Sequence, residues 1–349
     1  MAKEKPHKNI DLDKLTEEEL LKLRVCDLPL TIEGTWLEGC IQQLYADMEA
    51  KGLTFNPVCY LAEEWLTPEN HIVIGIPFYL AHPALIRLEK KMMMEAEGET
   101  VPWCMKLLRH EAGHAVTYAY RLNEKRRWRQ IFGSSSQEYP DTYRFRPYSK
   151  NYVRHLDGFY AQYHPDEDFV ETFAVWLTPN SDWENQYRGW KALGKLQYVD
   201  FLMNQIKGKT PFVERSEKHW NYKRMRITLE NFYKRKRKLS AEDFPDFHDG
   251  NLKKIFTVRD EDTAKSPTAA EFLKKYKKGI MGDVAKWTGE KKYVVNALLK
   301  TISKRCRELK LVLPSDESVS LSRLTAYVTM LVMNYRYTGW FRGEQKDKK

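Results

Sequence analysis

The residues best suited to chemistry are His110-Glu111-Ala112-Gly113-His114. Two histidines four apart on a helix project from one face, about a turn apart, and can grip a single metal ion. The glutamate between them stands beside such a metal, close enough to take a proton from water there. With nine His in 349 residues, chance yields this string in roughly two of a hundred chains. The surroundings fit. Leu108, Ala112, Ala115, Ala119 and Leu122 recur at helical spacing, which predicts an amphipathic helix from near Pro102 with both histidines off its apolar stripe. Gly113 should cost this helix ~1 kcal/mol relative to Ala. Its bare backbone therefore predicts the close approach of another segment.

A hydrolytic zinc centre takes three protein ligands and keeps one position for water. The third ligand must come from elsewhere, because Thr117 and Tyr120 stand where an extended motif would place Gly and His. Glu138 sits in the turn-rich Gln137-Glu138-Tyr139-Pro140 stretch, and His155 and His164 are possible imidazole ligands. Glu167 is the best candidate. Pro165 suits the first turn of a helix, which sets Glu167 and Glu171 on one face, opposite Phe169, Phe173 and Trp176. Two carboxylates so placed repel each other unless a cation and a ligand histidine share their charge. The expected arrangement is Glu167 on the metal and Glu171 orienting a ligand ring through its free N–H.

The elements that must position these groups read as a mixed α/β front and a basic helical back. Helices are predicted over Leu15–Val25, with Thr16 and Glu19 forming a capping box, and over Thr35–Lys51. His71 to Ile76 is β-rich, and Gly75 and Pro77 suit an edge strand. Gly133 to Lys150 reads as an irregular connection, Pro165 to Thr178 and Trp190 to Ile206 as helices, and Asp243 to Pro267 as a linker. Helices follow over Ala269–Lys278, Lys291–Leu309 and Ser320–Tyr335, the last capped by Ser320.

Taken together, these segments resemble the gluzincin metallopeptidases, and more specifically the bacterial zinc-binding metallopeptidase family. The resemblance lies in the Ile76–Pro83 segment (Ile-Pro-Phe-Tyr-Leu-Ala-His-Pro), the His-Glu-x-Gly-His helix, and Tyr160-Ala161 followed by His164 through Ala174. It covers roughly residues 20–210, with Val170 in place of a commoner Ala. It implies an α+β, zincin-like metalloprotease domain with a small antiparallel sheet and an active-site helix over residues 1–225. A mainly helical basic region of unknown role then occupies residues 226–349. Lethal-factor-type gluzincins place a tyrosine seven residues before the ligand glutamate, where Tyr160 stands; Tyr163 is its nearest rival.

The expected chemistry is peptide-bond hydrolysis. His110, His114 and Glu167 would hold one Zn²⁺ with an open water position, and Glu111 would serve as general base and then acid. Tyr160 would support the developing oxyanion, and Glu171 would orient His110 or His114. His71–Ile76 resembles the edge strand on which zincins pair an extended peptide. His71 and His82 read as structural or solvent-facing.

Composition narrows the setting. No run of 18 apolar residues exists, and Met1 to Asp13 is polar, so neither a membrane span nor a secretory signal is expected. The five cysteines are scattered without a Cys-x-x-Cys pair, which suits a reducing cytoplasm. Residues 1–200 carry 24 Lys+Arg against 30 Asp+Glu, whereas residues 201–349 carry 34 against 18. The run Lys234-Arg235-Lys236-Arg237-Lys238 could meet nucleic acid or another polyanion, although a solvated helix end is the simpler reading. Two alternatives follow: a DNA-associated SprT-like protease, which would want a third histidine, and a noncatalytic zinc-containing binding protein, which would have no use for Glu111.

Overall fold

The computed structural model describes residues 10–140, 145–214, 216–238, 248–261, 263, 265–314 and 316–338. These fall into two compact units: the second takes Met93–Glu95 and the described residues from Arg235 onward, the first takes the rest, and the main division lies inside one helix at residues 234/235. The architecture is α+β and mostly helical, as expected.

In the first unit, α1 (Glu17–Lys22) opens on the expected capping box, in which the Thr16 hydroxyl accepts from Glu19 N and the Glu19 carboxylate accepts from Thr16 N. Helix α2 (Trp36–Ala50) leads into β1 (Val58–Ala62) and β2 (Val73–Pro77). Next come α3 (Pro83–Met93), α4 (Val101–Ala119), α5 (Arg126–Phe132), α6 (Pro165–Leu177), α7 (Trp183–Gln186), α8 (Lys191–Ile206) and α9 (Leu229–Lys238), within which the division falls. The apolar stripe expected on α4 is fully buried at Leu108, Ala112, Ala115 and Ala119.

The strand pairing differs from the sequence expectation. β1 and β2 run parallel, with Val58 opposite Val73 and Ala62 opposite Pro77. Nor is β2 an edge. Its other side is taken by the returning link, where Gly75 N donates to Leu66 O at 2.8 Å and Leu66 N donates to Gly75 O at 3.3 Å. A Cβ at Gly75 would lie 2.4 Å from Leu66 Cδ2 and 2.9 Å from Ala62 Cβ. The glycine thus marks two close neighbours rather than an exposed rim, and the stretch facing the cleft described below is 65–69.

The second unit contains α10 (Asp249–Ile255), β3 (Thr257–Val258), α11 (Ala269–Thr288), α12 (Lys292–Glu308), β4 (Leu311–Val312) and α13 (Glu317–Thr338). Its small sheet is antiparallel. Phe272, Ile280, Val295, Leu299, Leu324 and Val328 are among the residues that close its own apolar core. Helix α13 starts earlier than Ser320, because Asp316 accepts from the backbone N–H of Ser318 and Val319. The expected linker over 243–267 holds α10 and β3 in its described part; residues 243–247 lie outside the described residues. No helix among the described residues is long and apolar enough to cross a membrane.

Candidate metal centre

Helices α4 and α6 pack so closely at Gly113 that a Cβ there would lie 3.0 Å from Val170 Cγ1, 3.1 Å from Phe173 Cδ1 and 3.2 Å from Val170 Cα. This is the approach that a glycine inside a helix led one to expect. It lays the first turn of α6 over the histidine face of α4 and buries His110, Glu111, Glu167 and Glu171.

His110, His114 and Glu167 converge, with one donor atom from each within 4.8 Å of the others. Glu167 Oε2 stands 3.1 Å from His110 Nε2 and 3.5 Å from His114 Nε2. Ligands 2.0–2.2 Å from a tetrahedral zinc are separated by about 3.3 Å, so the spacing suits that ion. The donor chemistry fits as well. His110 Nδ1 donates to Glu171 Oε1 at 2.7 Å, since a carboxylate can only accept, and Leu156 N donates to the other oxygen at 2.8 Å. With Nδ1 carrying its proton, a neutral ring would present the lone pair of Nε2 to Glu167. Two acceptors this close call for a cation or a proton between them.

Burial opposes charging of His110, but the Glu167 and Glu171 carboxylates outweigh it and raise its pKa well above the imidazole range. His114 shifts the same way, with Glu167 overcoming burial. Burial would raise Glu167, yet His114 and His110 hold it below the usual carboxylate range. Glu111 is raised by burial, against the pull of both histidines. Its Oε2 is buried and has no hydrogen-bond partner among the described residues, while Thr67 Oγ1 donates to its main-chain carbonyl at 3.1 Å.

These groups open into a cleft of about 640 Å³, whose lining includes Trp65, Leu66, Thr67, Tyr118, Tyr139 and Tyr160. The volume suits a bound ligand segment. Tyr160 sits on a 3₁₀ turn (Asp157–Gln162) that passes through left-handed Gly158 and Phe159, and its ring centre is 5.6 Å from that of His110. Tyr163, the rival, is turned to Pro140, donating to its carbonyl at 2.8 Å.

The other ligand candidates are engaged elsewhere. His155 Nε2 lies 2.9 Å from the Lys106 carbonyl, to which it donates. His164 caps α6, its Nδ1 accepting from Asp166 N at 3.1 Å while Nε2 donates to Gln137 O at 3.0 Å. Glu138 lines the cleft but stands outside the three-residue cluster. Tyr139 carries a contact the sequence did not suggest: its hydroxyl donates to Glu167 Oε1 at 3.0 Å, and its ring stacks on His164 at 3.9 Å.

Comparison with known families agrees with this geometry. Residues 49–200 match the model of the family described as "Putative zinc-binding metallo-peptidase". The zinc-binding peptidase resemblance read from the sequence is thereby borne out over the segment that carries α4 and α6. No curated protein and no solved structure matches the chain. The family match ends before the basic C-terminal region and gives no support to nucleic-acid contact there.

Proposed function

We propose that the first unit is a zinc metallopeptidase, with His110, His114 and Glu167 as the metal ligands. The observation that carries this reading is the buried convergence of two imidazole nitrogens and one carboxylate oxygen beside the unpartnered Glu111 Oε2, all facing one cleft. A zinc held there supplies Lewis acidity, acidifying water and drawing electrons from a peptide carbonyl.

The chain's own groups do the rest. Glu111, its proton affinity raised by burial, takes the proton of the attacking water and passes it to the departing amine. The Tyr160 hydroxyl, held in its acidic form by burial and by the Glu167 and Glu111 carboxylates, donates to the carbonyl oxygen as negative charge builds there. Glu171 fixes the tilt and tautomer of His110. Tyr139 steadies the Glu167 oxygen farther from the histidines. The substrate is an extended peptide or a flexible protein segment lying along the cleft wall formed by Trp65, Leu66, Thr67 and Glu69.

The test combines metal analysis with peptide cleavage. The purified chain should hold one tightly bound zinc and cleave members of a diverse peptide library. Glu111→Gln should keep the zinc and lose cleavage. A folded chain that refuses zinc, or undiminished cleavage by Glu111→Gln, would overturn the reading.

A further inference from the structure

The first unit holds a second cluster with metal-ligand chemistry, separate from the cleft cluster in every residue: His71, Glu217 and His219. His71 Nε2 is 3.8 Å and His219 Nε2 is 3.6 Å from Glu217 Oε2, and the two ring centres are 4.7 Å apart. One donor atom from each residue lies within 4.8 Å of the others.

The tautomer of His71 is set for coordination. Its Nδ1 lies 2.7 Å from the main-chain oxygen of Glu69. A carbonyl can only accept, so Nδ1 carries the proton and Nε2 is left as the lone-pair nitrogen aimed at Glu217 and His219. A backbone carbonyl behind a ring in this way is the usual support of a metal-bound histidine.

Both sides of the cluster are anchored. His71 is buried, and its N–H closes a turn on Pro68 O at 3.0 Å. Opposite, the His219 carbonyl accepts from the Tyr60 hydroxyl at 2.7 Å, Glu63 N donates to Trp220 O at 3.1 Å, and Asn221 bridges Ala62. The backbone therefore holds the two histidines in place from separate segments, while the Glu217 side chain, 78% exposed, is free to close on an ion.

We propose that His71, Glu217 and His219 form a second divalent-metal site, open to solvent and weaker than the buried centre. Two imidazoles and one carboxylate suit Zn²⁺ and its neighbours Co²⁺ and Ni²⁺, whereas Ca²⁺ and Mg²⁺ seek oxygen ligands. Water completes the coordination on the exposed side. Separations of 3.6 and 3.8 Å exceed the roughly 3.3 Å of a closed tetrahedral site, so the ion must draw Glu217 inward by a few tenths of an ångström. That adjustment places its affinity below that of the buried centre. Because Glu69 and Thr67 line the cleft and His71 ends the same turn, an ion here ties the cleft wall to residues 217–219.

The test is a Zn²⁺ titration of the untagged full-length chain against a chelating competitor, repeated with Mg²⁺ and Ca²⁺. The expected result is two zinc equivalents of different affinity and no competition from Mg²⁺ or Ca²⁺. His219→Ala, at a ring 46% exposed and outside the core, should weaken the second equivalent at least about tenfold and leave the first intact. His114→Ala should do the reverse, which separates failure at this site from failure at the buried one. A chain that takes up one equivalent only, or a second equivalent whose affinity is unchanged in both His219→Ala and Glu217→Gln, overturns the proposal.

Discussion

Gly113 on α4 lies against Val170 on α6 so tightly that even a methyl group would sit 3.2 Å from the Val170 Cα. The contact is with backbone as well as side chain, and three residues before Val170 stands Glu167. The separation of the two helices at this point therefore sets the separation of Glu167 from both histidines.

Gly113→Ala should show this dependence. The substitution gains ~1 kcal/mol of helix propensity and loses about 1–3 kcal/mol to overpacking. A net destabilisation of about 1 kcal/mol is expected, with a disproportionate fall in zinc affinity because α6 must shift. Thermal unfolding and competitive zinc titration check both. A variant that binds zinc like the parent would show that the helices yield without moving Glu167.

Glu171→Gln keeps the size of the side chain but faces two donors, His110 Nδ1 and Leu156 N, with only one accepting oxygen. Loss of such a supporting carboxylate costs about 10–100-fold in metal affinity. Competition with a chelator of known affinity measures it, and an unchanged value would remove Glu171 from the centre's design.

The pH dependence of zinc binding follows from the raised pKa values of His110 and His114. In the metal-free chain these rings keep their protons to higher pH than they do in the unfolded chain. The associated stabilisation is complete below the unfolded imidazole value of about 6.5 and disappears as pH rises through the folded values. Zinc needs the rings unprotonated. Its affinity should therefore climb with pH through neutrality and beyond, and binding at pH 7 should release protons. Calorimetry in buffers of differing ionisation enthalpy would detect them; zero release would show that the rings are already neutral.

Tyr160→Phe and Tyr139→Phe separate two tyrosines that share one cleft. The first should leave zinc affinity intact and lower kcat by roughly 10²–10³, the usual loss for one donor to a developing oxyanion. The second removes a bond to Glu167 Oε1 and should act chiefly on zinc affinity. Steady-state kinetics and zinc titration on each variant distinguish the roles; identical profiles would argue against the division.

Much of this site was legible because its signals are local. The spacing of His110 and His114, Pro165 at a helix start and Gly113 within a helix each carry their meaning inside one or two turns, as does the Thr16–Glu19 box. What stayed hidden depends on the return of distant chain. Leu66 covering β2, and with it the loss of the expected edge, comes from a fold-back that no alternation pattern encodes. Tyr139 reaches Glu167 from 28 residues away out of a turn-rich stretch without a period. His155 and His164 looked like ligands by type; only the main-chain groups beside them reveal that Nε2 of His155 and both nitrogens of His164 are already used. His71, read as structural, gains its second meaning from His219, 148 positions along the chain.

Glu171 touches two things at once. One oxygen sets the angle of the His110 ring, and the other receives the N–H of Leu156, the residue that launches the turn bearing Tyr160. A ligand on α4 and a hydroxyl on a separate loop are thus pinned to a single pivot. Damage at Glu171 should tilt the imidazole and displace the phenol together, so a Glu171 substitution combined with Tyr160→Phe should cost less than the two losses summed. Part of the cleft's accuracy is then a property of one joint, and the two groups drift or hold in step.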